Sequence, residues 1–156
     1  MSGVAGAHLE SVLETEIAEH LAANGWLYSP SDAGYDRALA LFPEDVLGWF
    51  EDTHPVEYAK VIRPADSPAQ QEAAKALLLK RLVKALDNDP FKNGGTLQLL
   101  RGGFSFVPPT GGTVKVRMAQ FRPATSINPD TLQDYSKMRL RVMRQVHYSA
   151  KHPHKA

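Results

Sequence analysis

At 156 residues, with 43% apolar and 22% charged side chains, the chain has the composition of a globular protein and enough length to bury a substantial core as one domain. It contains no cysteine, which excludes disulfides, thiolate metal sites and cysteine nucleophiles. A net charge of +1 hides a polarity, because residues 1–60 hold 11 acidic and 2 basic side chains while residues 61–156 hold 6 acidic and 16 basic. Such a basic part suits nucleic acid or another polyanion, or the acidic part of the same chain; solvated surface on both sides is the plainer alternative. No apolar run approaches the roughly 18–20 residues of a membrane span, and the N-terminus lacks the basic start and apolar core of a signal peptide. The expected address is therefore cytoplasmic, with no membrane partner.

The first element predicted is an amphipathic helix from His8 to Asn24. Leu9, Val12, Leu13, Ile17, Leu21 and Ala22 recur at three and four, the polar face carries Glu10, Glu14, Glu16 and Glu19, and Asn24-Gly25 stops the run. Tyr28 to Tyr35 is dense in turn formers and reads as an ordered loop. Pro43 suits the first turn of a short helix ending near Asp52, and a second short helix is expected from Pro55 to Val61. Ser67-Pro68-Ala69-Gln70 is a capping box with proline at the first helical position, so a long helix should run from there to about Leu86. Its exposed side would carry Lys75, Lys80, Arg81 and Lys84. The segment Thr96 to Arg101, between two glycine pairs, fits no single state. Phe104 to Val107 and Val114 to Phe121 read as strands of a hairpin around Pro-Pro-Thr-Gly-Gly, and Asn128-Pro129-Asp130 caps a helix to about Met138. Helices interrupting a few strands give an α+β class.

Arg139 to Tyr148 (R-L-R-V-M-R-Q-V-H-Y) is the most strand-like stretch, with Leu140, Val142, Arg144, Val146 and Tyr148 on one face. A strand of this kind wants neighbours on both sides, so its sheet is expected to be completed by residues outside this chain, or by self-association through the unpaired strand. Arg144, sharing a face with apolar residues, should be half-buried and need a carboxylate partner. Lys137, Arg139, Arg141, Arg144, Lys151 and Lys155 bring six positive charges and no negative one to the last 20 residues, a pattern that suits phosphate contacts, with Tyr148 and His147 near sugar or base. No phosphate loop, GxSxG, HExxH or dinucleotide fingerprint occurs. His147, His152 and His154 could ligate a metal but have no rigid frame, so no metal site is assigned. Glu14, beside the apolar stripe, could reach a cleft edge and assist a divalent cation; a solvated glutamate is the alternative.

Several longer blocks go further. Gly25-Trp26-Leu27-Tyr28-Ser29-Pro30, Asp32-Ala33-Gly34-Tyr35-Asp36-Arg37, Ala38-Leu39-Ala40-Leu41-Phe42-Pro43, Glu44-Asp45-Val46-Leu47-Gly48-Trp49, M-A-Q-F-R-P at 118–123, N-P-D-T-L at 128–132 and R-L-R-V-M-R-Q-V-H-Y-S at 139–149 together resemble the N-terminal region of the R subunit of type I restriction endonucleases. The resemblance covers residues 9–149 and implies a nuclease domain of the PD-(D/E)xK type, joined in the full subunit to an ATP-driven translocase. It implies Mg²⁺ and ATP as cofactors of that subunit, double-stranded DNA as substrate, and methyltransferase (M) and specificity (S) subunits as partners, in a complex cutting foreign DNA that lacks the host's methylation. In the family the metal-binding strands follow the Q-V-H-Y-S strand. This chain is therefore expected to be a single-domain fragment, residues 1–156, truncated before the catalytic hairpin and without the helicase domains. It should need no cofactor and cut no DNA alone. Glu14 matches the family's first-helix glutamate, a supportive catalytic residue, whereas residue 38 is Ala where the family's D-R-E-L pattern has Glu. The competing expectation is a module that docks on DNA or on the other subunits through its basic C-terminal half, using Lys137, Arg139, Arg141, Arg144 and Tyr148.

Overall fold

The computed structural model describes residues 3–145 and is of the α+β class. Its helices are α1 (Gly3–Ala23), α2 (Pro43–Thr53), α3 (Pro55–Val61), α4 (Pro68–Leu86), α5 (Pro90–Asn93), α6 (Gly95–Gly102) and α7 (Pro129–Ser136). The strands are β1 (Leu27–Ser29), β2 (Phe104–Phe106), β3 (Val114–Val116) and β4 (Arg141–Met143), paired as two separate two-stranded sheets. Backbone contacts divide the chain into two units: residues up to Leu41 together with those from Arg139 onward, and Phe42–Met138.

In the first unit, α1 packs on β1 and β4, which pair in parallel with Leu27 opposite Arg141, Tyr28 opposite Val142 and Ser29 opposite Met143. A parallel pair needs a crossover between its strands. Here the crossover contains the whole second unit, inserted between Leu41 and Arg139. The expected loop from Tyr28 thus begins as a strand; three residues are too few for an alternation to show in sequence. β4 itself is shorter than the expected strand, and its predicted continuation through Val146 to Tyr148 lies outside the described residues.

α1 departs from its sequence pattern more deeply. Amphipathic helices ordinarily bury their apolar stripe, but Leu9, Leu13 and Ile17 are 70%, 57% and 51% exposed. The side turned inward carries half-buried Ser11, Glu14 and Thr15 and the buried Ala18. Two local causes are visible: Ala18 lets the helix approach the strands closely, and an arginine beside β4 requires polar partners on that helix face.

The second unit holds the buried cluster. Trp49 and Phe50 from α2, Val61 and Ile62 at the end of α3, and Leu78 and Leu82 from α4 pack on Phe104, Phe106, Val114 and Val116 of the antiparallel β2–β3 hairpin. The hairpin is present as predicted, and along it buried and exposed residues alternate, with Ser105 and Lys115 outward. β3 ends at Val116, however, well short of the predicted Phe121. The undecided segment 96–101 is helical, within α6. Gly103, between α6 and β2, has φ +88, and a Cβ there would lie 2.9 Å from the Val116 carbonyl oxygen.

Two side chains from the α2–α3 junction grip the backbone just after β3. The Trp49 indole N–H donates to the Arg117 carbonyl at 2.7 Å, and the Arg117 N–H donates to His54 Nε2 at 3.2 Å. Thr53 Oγ1 donates to the Trp49 carbonyl at 2.6 Å and lies 2.7 Å from His54 Nδ1. With the hydroxyl proton already used, Nδ1 must be the protonated nitrogen and Nε2 the acceptor, which fixes a neutral imidazole.

Candidate functional site

The first unit brings two of the sequence's candidate residues, Glu14 and Arg144, together at one guanidinium. Arg144, at the end of β4, donates through Nε to Glu14 Oε2 at 3.2 Å, through Nη1 to Thr15 Oγ1 at 2.8 Å and through Nη2 to Ser11 Oγ at 3.2 Å. Positions 11, 14 and 15 share one helix face, so three successive polar side chains of α1 meet the planar fork of donors that only arginine offers. Thr15 Oγ1 itself donates to the Ser11 carbonyl at 2.7 Å, which leaves its lone pairs for Arg144. The Tyr28 side chain of β1, hydrogen-bonded to the guanidinium, raises the Arg144 pKa above the ordinary arginine value; partial burial opposes this and the Glu14 carboxylate adds to it. Both members of the ion pair are mostly shielded, with side chains 25% and 32% exposed. The expectation that Arg144 is half-buried on a carboxylate is met, and the carboxylate is Glu14.

The neighbouring strand residue is also engaged. Arg141 Nη1 donates to Ser29 Oγ at 2.7 Å, which explains why Ser29, 7% exposed, can be buried on β1. Arg139 is half-buried and has interactions of its own. Lys137 belongs to the second unit, where its Nζ donates at 3.0 Å to the Asp52 carbonyl in the last turn of α2, a favourable place for a cation. Tyr148, His147, His152 and His154 lie outside the described residues. Arg141 and Arg144 thus spend donors on the protein's own side chains rather than presenting a bare basic face. Ser11, Thr15, Tyr28 and Ser29 were not singled out from sequence; the spacing of Ser11, Glu14 and Thr15 was the available signal.

Further along, Arg37 pairs with Asp32, and Asp36 Oδ1 accepts from the Ala38 and Leu39 amides at 2.9 and 3.0 Å. Ala38 is exposed and contributes only its backbone to this turn. As to a metal, Mg²⁺ wants several hard oxygen ligands. Among the described residues no three His, Asp or Glu side chains are grouped to hold an ion, and Glu14 already serves Arg144. The donor set does not fit a Mg²⁺ site, so no metal-assisted step is derived for these residues. Among the described residues no helix is long and apolar enough to cross a membrane.

Comparison of the chain with protein-family models, with curated proteins and with solved structures gives no match in any of the three.

Proposed function

We propose that the chain is the N-terminal part of the nuclease domain of a type I restriction endonuclease R subunit, a PD-(D/E)xK-type domain whose metal-binding strands lie beyond these residues. The observation that carries the reading is the meeting of three separated sequence blocks at one guanidinium: Glu14 of the first helix, Tyr28 of the G-W-L-Y-S-P block and Arg144 of the R-L-R-V-M-R block. In this reading α1 and the β1–β4 pair frame the site, and Arg144 holds Glu14 in place on the face of α1. The parent protein would cut unmethylated foreign DNA with ATP and Mg²⁺ in a complex with M and S subunits. On its own the chain should leave supercoiled plasmid intact in Mg²⁺, and cleavage abolished by Glu14→Ala would overturn that statement. The parentage is tested by the genomic sequence after Ala156: an in-frame aspartate strand followed by Glu-x-Lys is expected, and a continuation lacking both would refute it.

A second reading, a docking module for DNA or for partner subunits, is favoured by a different set of cations from those expected. Lys80, Arg81 and Lys84 on α4 are exposed and pair with no carboxylate among the described residues. Phosphate binding through them should weaken steeply with salt in a gel-shift titration and should fall in the triple substitution to glutamine. Binding indifferent to salt would count against it.

A further inference from the structure

Within the second unit, the end of α3, the first turns of α4 and the turn between β2 and β3 surround a cavity of about 340 Å³ that opens to solvent. Val61, Leu77, Phe106 and Pro108 give it apolar walls, and Arg63 and Gln70 also line it. Its volume lies within the roughly 300–1,000 Å³ of small-molecule sites, and apolar walls with few polar groups are their usual make-up.

Arg63 and Asp66 both line the cavity with opposite charges, and the arginine is the more exposed of the two. Among the described residues Arg63 makes one ion pair, from Nη2 to Asp66 Oδ1 at 3.3 Å, and its side chain is 47% exposed against 21% for Asp66. A guanidinium has five N–H donors, so most of those on Arg63 remain for an incoming anion, which would share the guanidinium with the Asp66 carboxylate. Gln70 uses Oε1 to accept from the Ser67 N–H at 2.9 Å, and its amide nitrogen has no partner among the described residues. We propose that this cavity binds a small monocarboxylate with an apolar body, such as an arylalkanoate, its ring against Phe106 and Leu77 and its carboxylate on Arg63. A phosphate dianion is disfavoured because a single guanidinium would have to offset its desolvation beside apolar walls. The proposal is independent of the nuclease reading.

The test is an amide NMR titration of the full chain with phenylbutyrate, phenylbutanol and phenylbutylamine. Phenylbutyrate should produce saturable shifts at the Ala73, Ala74 and Phe106 amides with a millimolar or tighter Kd. Arg63→Gln should weaken it about tenfold or more, as expected for losing a charge-assisted contact, and leave phenylbutanol unchanged. Ala73 lines the cavity yet is exposed, so Ala73→Phe should fill the space without disturbing the core and abolish binding of both. The same spectra report whether each variant is folded. Absence of saturable shifts by about 10 mM, amine binding as tight as the acid, or normal binding in Ala73→Phe would each overturn the proposal.

Discussion

His54 is the residue whose charge the fold constrains most directly. Its Nε2 accepts the Arg117 N–H, so a proton on that nitrogen would turn an acceptor toward a donor. Burial, first, and then the Arg117 charge push its pKa below the ordinary 6.5, while Glu57 and Asp134 partly offset them. A folded-state pKa below the unfolded one means that this group's contribution to stability is complete above about pH 6.5 and is lost as pH falls through the lower value. The melting temperature of the native chain relative to His54→Gln should therefore drop between about pH 7 and 5; a constant difference across that window would refute the linkage. Arg144 invites a different measurement. Glu14→Gln and Arg144→Gln should each lower stability, and the double variant should lose less than the sum, because the two side chains form one network. Additivity would mean that the pair is incidental. That Arg144 needs a carboxylate was legible from its place among Leu140, Val142 and Val146. That Glu14 would supply it was not, because linking two positions 130 residues apart requires the fold.

Among the elements, those with explicit stop and start chemistry were readable. α2, α3 and α4 each begin at a proline in the first turn, and α4 carries the complete reciprocal cap, with Gln70 N donating to Ser67 Oγ at 3.3 Å and Ser67 N to Gln70 Oε1 at 2.9 Å. Ser67→Ala should cost about 1 kcal/mol in a denaturant melt. α6 was not readable, because its glycine-flanked sequence begins at Gly94, in the left-handed region, with no side-chain cap. Its far end makes a firmer demand. Gly103→Ala should cost at least about 1 kcal/mol for the positive-φ, glycine-favouring backbone alone, and more if the Val116 carbonyl cannot yield. A variant as stable as the native chain would show that this junction relaxes freely. The helix-period pattern of α1 identified the helix and misassigned its inward face, since periodicity registers where apolar side chains fall without weighing a guanidinium that must be satisfied.

For the whole molecule, the division into two units makes a prediction about autonomy. The buried hydrophobic cluster found among the described residues lies entirely within Phe42–Met138. A polypeptide of those residues should give a dispersed amide spectrum and a cooperative melt, with Leu82→Ala, at a site wholly shielded from solvent, costing about 2–5 kcal/mol. A collapsed spectrum would mean that its core depends on the flanking segments. The insertion of this unit between β1 and β4 also sets an order in time. On a ribosome adding roughly 5–20 residues per second, β1 is made several seconds or more before the strand that completes its pair, and the loop to be closed is longer than the inserted unit. During that wait the inward face of α1, with Ala18, and the bare edge of β1 have no β4 to pack with, so nascent-chain stages between about residues 45 and 140 should be the ones most readily captured by chaperones.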